Sequence, residues 1–286
     1  MRIRRVLLAR YRVRLILPRL LICSLIGLLA CQRPETGSID IIGSTTVTPL
    51  MEHLVAVYSE THEQRFLIQS LGSTTGINAV RDGQTPIGMS SRKLTQEEMD
   101  AGVVAYHIAT EALAVAVNIH NPINNLSQDQ LISIFSGQTR NWNDVGGVER
   151  PIVVVSREAG SGARTTFESL MHLVRNKESL IDSAPLLIIG DGTGQVRANV
   201  ASRFESIGYM SLTVIDNINV KSISIDDVAP SAENIQNGQY TLQEPLFLLL
   251  REGESGASKD FVDWVLSPEG QNEVSRFGSI TVLHHE

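Results

Sequence analysis

Cysteine is almost missing from this 286-residue chain: there are two, Cys23 and Cys31. Nothing beyond residue 31 can form a disulfide or act as a thiol nucleophile, so that body must be held by packing. Acid is missing from the first 31 residues, which hold seven arginines and no aspartate or glutamate. The remainder carries 17 basic against 31 acidic side chains. It lacks the basic footprint of a nucleic-acid binder, and no nucleic-acid partner is expected. Metal-ligand spacing is missing too. Of His53, His62, His107, His120, His172, His284 and His285, only the terminal pair is close in sequence, unlike the spacing of zinc sites. There is no Gly-x-x-x-x-Gly-Lys-Ser/Thr loop, and "GDGTG" at 190–194 lacks the spacing of a dinucleotide fingerprint. No serine sits in a Gly-x-Ser-x-Gly elbow with a suitably placed histidine. An enzyme is therefore disfavoured, and no cofactor is expected.

What is present begins with the arginine-rich start, which runs into "LLICSLIGLLAC" at 20–31. A positive segment, a short apolar segment and a small residue read as a secretory signal over residues 1–30. The run is short for a membrane span of about 20 residues. Leu28-Leu29-Ala30-Cys31 resembles a bacterial lipobox, which implies cleavage before Cys31, lipidation of its sulfur and membrane attachment outside the cytoplasm. Residues 31–37 then read as a polar tether.

The whole chain of 286 residues is 42% apolar, enough for one large or two medium domains. Apolar runs predict strands at Ile39–Ile42, Phe66–Ser70, Ile87–Ser90, Val103–Ile108, Leu113–Val117, Ile152–Val155, Leu186–Ile189, Ile207–Ser211, Val220–Ile223 and Leu246–Leu250. Several are continuous runs, as strands buried on both faces require. Helical patterns lie between them: Leu50, Leu54, Val57 and Tyr58 share one face, and Phe167, Leu170, Met171 and Val174 another. Strands alternating with helices predict an α/β fold with parallel sheets.

One local pattern recurs. "IDIIGSTTVTPL", "FLIQSLGSTTGINAV" and "IVVVSREAGSGARTTF" each run strand, hydroxyl-rich turn, helix. "PIGMSSRKLTQEEM" adds a strand ending in Ser-Ser-Arg before a helix near Thr95. Ligands in open α/β sheets sit at this end of the strands. Helix N-termini offer unpaired N–H groups to an anion, and Arg157 supplies a fixed charge with a planar fork. A single such turn is more often only a helix cap, since Ser and Thr are favoured there anyway. Arg92 alone reads as a surface or bridging residue, and Arg164 as a partner in surface ion pairs.

"GSTTVTPL", "LGSTTGI", "IGMSSRKL", "IFSGQTRNWNDVGG", "PIVVVSREAGSGARTTFE", "IGYMSL" and "LSPEGQ" occur in an order that resembles the phosphate-binding (PstS-like) proteins of bacterial phosphate ABC importers. The resemblance spans almost the whole body from about Gly37. It implies a two-lobed, periplasmic-binding-protein-like α/β fold of type II, each lobe a mostly parallel sheet flanked by helices, joined by two crossovers. Lobe one would comprise 38–114 and 213–286, and lobe two 115–212. Carried over by motif, the phosphate contacts would be Thr45, Thr46, Ser73 and Ser91 from lobe one, and Arg157, Ser161, Gly162 and Ala163 from lobe two. The chain departs from the family at three places. Ala163 stands where a threonine is usual. Ser91 stands where better-known members have the aspartate that accepts the proton of hydrogen phosphate. Ala159 stands where some carry an acid that orients the arginine, with Glu158 as its substitute. The implied function is a monomeric, lipid-anchored receptor that delivers inorganic phosphate to an ABC permease. The alternatives are a receptor for sulfate or molybdate, or a phosphate sensor or adhesin on the same fold.

Overall fold

A central nine-stranded sheet organises the computed structural model, which describes residues 37–282. In chain order the strands are β1 (Ile39–Gly43), β2 (Phe66–Ser70), β3 (Ile87–Ser90), β4 (Val103–Asn118), β5 (Asn125–Leu126), β6 (Val153–Arg157), β7 (Val174–Arg175), β8 (Glu178–Ser179), β9 (Leu187–Gly190), β10 (Ser206–Ser211), β11 (Val220–Ser222), β12 (Ser224–Ile225) and β13 (Gln243–Arg251). The helices are α1 (Thr48–Thr61), α2 (Ser73–Arg81), α3 (Gln96–Asp100), α4 (Gln128–Phe135), α5 (Gly162–Leu170), α6 (Thr193–Ser202), α7 (Ala232–Gln236), α8 (Ala257–Leu266) and α9 (Pro268–Phe277).

The sheet runs β2-β1-β3-β13-β4-β10-β6-β9, with β11 also on β4. β2, β1 and β3 are parallel, as are β10, β6 and β9. β13 and β4 run antiparallel to each other and to the parallel strands beside them. Each parallel set lies over its own core. The first core collects Ile41, Leu50, Leu54, Ile87, Leu246, Phe261 and Val274. The second collects Val115, Phe135, Trp142, Phe167, Tyr209 and Leu242. This is the two-lobed α/β architecture that the sequence implies, with a mostly parallel sheet in each lobe.

One expectation changes. The predicted strands at 103–108 and 113–117 are one strand, because the polar Thr110-Glu111 between them stays paired to β13, opposite Pro245 and Glu244. An interruption in hydropathy is therefore not a break in the ladder. Residues beyond 213 also contribute to the second core. Val220 packs with Ala116 and Val155, and Ile223, Ile235, Tyr240 and Leu242 join the second core. The Tyr240 hydroxyl donates to the Leu113 carbonyl at 3.1 Å. The signal (residues 1–30) and the tether (residues 31–37) lie outside the described residues except for Gly37.

The crossing strands carry two buried carboxyls in register, Glu111 on β4 and Glu244 on β13. Glu111 accepts from the hydroxyls of Ser211, Thr213 and Ser279. Burial nonetheless pushes its pKa up, against those hydrogen bonds. Among the described residues no donor lies in hydrogen-bonding geometry with either oxygen of Glu244, although the Ser91 hydroxyl is near enough to favour its ionised form. Loss of water, and then the charge of Glu111, push Glu244 from 4.5 to about 8, while Arg157 and Ser91 pull the other way. The folded chain thus keeps a proton that the unfolded chain releases above pH 4.5. Stability should fall as pH rises through that window, because the native state binds more protons there. Glu244→Gln should flatten the fall by up to about 1.4 kcal/mol per pH unit. Urea denaturation of the phosphate-free protein at pH 5, 6.5 and 8 checks this; parallel profiles for the two proteins would refute it.

Candidate functional site

Four helices open toward one place. α1 follows β1 through Ser44–Val47, with Pro49 in its first turn where a missing N–H costs nothing. α2 follows β2, α5 follows β6 and α6 follows β9. Each first turn leaves backbone N–H groups without intrahelical partners and carries the positive end of the helix dipole. Hydroxyls at these starts add further donors. The turn at α6 depends on Gly192, whose φ of +105° suits glycine and few other residues. A Cβ there would also approach the Thr45 side chain to 3.4 Å.

Arg157, at the end of β6, is 2% exposed and stands at the centre. Its Nε and Nη2 donate to the Glu158 carboxylate, both at 2.8 Å. Nη2 also donates to Thr45 Oγ1 at 2.7 Å, and Nη1 to Thr193 Oγ1 at 3.2 Å. Burial works against ionisation of Glu158, but the hydrogen bonds and charge of Arg157 outweigh it and hold the Glu158 pKa below the usual range. Glu158 is tied in turn to α6 by the Gly192 N–H, 3.2 Å away. The strand end beneath Arg157 is fixed by Tyr209, whose hydroxyl meets Ser156 Oγ at 2.7 Å and accepts from the Arg157 N–H at 3.4 Å. Tyr209 itself is stacked on Phe167, with ring centroids 4.0 Å apart.

A second group is built from serines. Ser44 Oγ donates to Ser91 Oγ at 3.1 Å, and Ser73 Oγ lies 3.5 Å from Ser91 Oγ and accepts from the Ser91 N–H at 3.1 Å. Gly162 of α5 faces this group so closely that an added Cβ would lie 2.4 Å from Ser73 Oγ and 2.5 Å from Ser91 Oγ. Further bonds join the lobes: Thr166 Oγ1 to the Ser91 carbonyl and the Thr74 N–H to the Gly160 carbonyl, both at 3.1 Å. The lobes are closed on one another.

Thr45, Ser73, Ser91, Arg157 and Gly162 are therefore brought together. Thr46 is buried beside them, its N–H donating to Ser44 Oγ at 3.2 Å. The Ser161 hydroxyl caps α5, accepting from the Arg164 N–H at 3.2 Å. The Ala163 methyl belongs to the second core, so the backbone N–H is what this residue can offer. Glu158 grips Arg157, as the sequence suggested. Arg92 is held by Glu98 at 2.7 and 2.9 Å, and Arg164 by Glu168 and Asp182. Three neighbours were not singled out from sequence. Ser44 lies in "GSTT" beside the residues that were chosen. Thr193 lies in "GDGTG", which was weighed only as a dinucleotide fingerprint. Glu244 lies in β13, and only cross-strand pairing reveals it.

Known proteins resemble the chain across this whole body. Residues 31–269 match the family model described as PBP superfamily domain. A phosphate ABC transporter substrate-binding protein from Clostridium perfringens, solved with bound phosphate, is 33% identical. It covers 86% of this chain and 100% of its own, with a TM-score of 0.80. An ABC-type phosphate transport receptor from Vibrio cholerae is also 33% identical over the same shares, with a TM-score of 0.71. The phosphate-binding protein PstS of Bacillus subtilis is 29% identical over 247 residues, covering 85% of this chain and 80% of its own. Through its fold, its matched span and these relatives, the chain belongs to the PBP superfamily.

Proposed function

We propose that this protein captures inorganic phosphate outside the cytoplasm and delivers it to an ABC importer, acting as a binding protein and not as an enzyme. The observation that carries the reading is the convergence of four helix starts and their hydroxyls on one buried arginine. Such a site holds an oxyanion by local donors, which suits a chain of net charge −7. Two relatives that are a third identical are phosphate transport receptors, which supports phosphate as the anion. The proposed contacts are Thr45, Thr46, Ser73, Ser91, Arg157, Ser161, Gly162 and Ala163, joined by Ser44 and Thr193. Both terminal nitrogens of Arg157 already reach hydroxyls, so an anion can replace those partners while Glu158 keeps the fork in place.

Lobe one is proposed to comprise residues 38 to about 111 and about 243 to 282, and lobe two the segment between. The crossing pair β4 and β13 is then the hinge region, and closure buries the anion. Attachment through a lipid on Cys31 and a monomeric state complete the reading, with the permease as the partner that recognises the closed form.

Calorimetric titration of the purified protein with phosphate, sulfate and molybdate tests the assignment. Phosphate should bind tightest, and preference for another of these anions overturns it. Arg157→Ala should weaken phosphate binding at least about tenfold with the fold kept, because truncating one partner of a buried charge pair costs roughly 2–5 kcal/mol. Unchanged affinity would remove Arg157 from the site. Gly162→Ala places a methyl where the Ser73 and Ser91 hydroxyls lie, so it should hold the lobes apart. Small-angle scattering with saturating phosphate should then give a larger radius of gyration than wild type, and equal radii would refute this. Cys31→Ser should move the protein from the membrane to the soluble fraction or stop its processing, as cell fractionation reads; wild-type lipidation of the variant would sink the anchor.

A further inference from the structure

A cavity of about 500 Å³ lies where the loop after β3, helix α5 and the crossing strands β4 and β13 meet. None of the residues proposed to touch phosphate lines it. Its walls belong to both proposed lobes. Arg92 and Lys93 come from lobe one, and Thr165, Thr166 and Ser169 from lobe two. The crossing strands add His107 and Thr110 of β4, and Gln243 and Pro245 of β13. Thr166 marks the border with the phosphate cleft, since its Oγ1 donates to the Ser91 carbonyl at 3.1 Å.

The lining has a definite chemistry. No aspartate or glutamate belongs to it. Arg92 spends its charge on Glu98, at 2.7 and 2.9 Å. Lys93 has no ion pair among the described residues, so its ammonium is the charge left for a ligand. His107 Nε2 and Thr110 Oγ1 satisfy each other at 3.1 Å. The hydroxyls of Thr165, Ser169 and Thr241 and the Gln243 amide line the same cavity, and all four residues are exposed, so a solute can reach them from outside. Hydroxyls and amides both donate and accept, which matches the alcohol groups of a ligand. Leu170 and Pro245 add apolar wall for a carbon skeleton. The volume lies in the range of small-molecule sites and is far more than a bare inorganic anion fills.

We propose that this cavity is a second ligand site, separate from the phosphate cleft, and that it takes a sugar-sized anion bearing several hydroxyls, such as a sugar acid. Lys93 meets the carboxylate as a compact point charge, which needs no fork. The hydroxyls and the Gln243 amide exchange hydrogen bonds with the alcohol groups. A ligand held by Lys93 on one lobe and by α5 on the other favours the arrangement that keeps the two together. Such a ligand tightens phosphate binding, and phosphate tightens its binding by the same factor. The coupling rests on the reading of a phosphate cleft that closes; the site itself does not.

Calorimetric titration of the purified protein with gluconate tests the site, with glucose as the neutral control. Gluconate should bind at a single site, and glucose at least about threefold more weakly, the scale of one partly exposed charge. Lys93→Ala should weaken gluconate binding about three- to tenfold. Its phosphate affinity without gluconate should stay at the wild-type value, which also reports that the variant is folded. Ser169→Phe fills the cavity from an exposed position on α5 and should abolish gluconate binding. In wild type, saturating gluconate should raise phosphate affinity at least about threefold. No gluconate binding at millimolar concentration, glucose bound as well as gluconate, or wild-type gluconate affinity in both variants would each overturn the site. Gluconate that competes with phosphate would belong in the phosphate cleft, which also overturns it. Gluconate bound with phosphate affinity unchanged would overturn the coupling. If phosphate does not bind while gluconate binds in a Lys93-dependent way, the reading of the cleft fails and the second site stands.

Discussion

Arg157 is the point on which the arrangement depends. A buried guanidinium must be paired and hydrogen-bonded, or it destabilises the fold that buries it. Here its donors reach Glu158 beside it, Thr193 at the start of α6 and Thr45 on the other lobe. Satisfying one cation thus fixes the separation of three chain segments. The aromatic stack of Phe167 on Tyr209 and the bond from Tyr209 to Ser156 hold the end of β6, so the cation's position is set by the second core. Packing in one lobe is in this way converted into the placement of a charge at the boundary of the other.

Movement is confined by the same logic. Each lobe has its own core, and long strands β4 and β13 run beside both. Where they cross, the apolar pattern gives way to Thr110, Glu111 and Glu244. Polar groups at a crossing avoid fusing the two cores into one, although the buried carboxyls carry a cost. Among the described residues, contacts between the lobes include hydrogen bonds and the close approaches of Gly162 to Ser73 and Ser91 and of Gly192 to Thr45. Closed and open arrangements would differ in such contacts and not in either core, which is what a ligand-driven hinge requires.

Much of this was legible beforehand. Continuous apolar runs located the strands of the nine-stranded sheet to within three residues at their ends, though not the two-residue strands outside it, because a strand covered on both faces has few positions left for polar residues. The hydroxyl turns located three of the four helix starts. Thr110-Glu111 reads as a break because hydropathy reports burial against apolar atoms and not ladder pairing. Residues 220–242 use short strands and a single helical turn, whose side chains fill the second core without any periodic signal. Trp142, in the block that most marks the family resemblance, is part of the core, with its indole N–H on the Glu205 carbonyl at 2.9 Å. Motif strength and ligand contact are different properties.

Glu244 was illegible for a further reason: it lies 153 positions from Ser91 and 87 from Arg157 along the chain, and only the fold brings the three together. Arg157 and Glu158 nearly cancel, so the fixed charge offered to an anion is small, and the attraction comes from helix starts and hydroxyls. Those donors are indifferent to which oxyanion they meet, since any tetrahedral anion presents acceptors. A hydroxyl such as Ser91 can donate or accept as its partner dictates and so asks for little. Arg157 alone among these groups has a fixed fork, and Glu158 holds one side of it. The geometry a ligand would meet is therefore set by how the fold aims neutral donors around one oriented cation, and not by net charge.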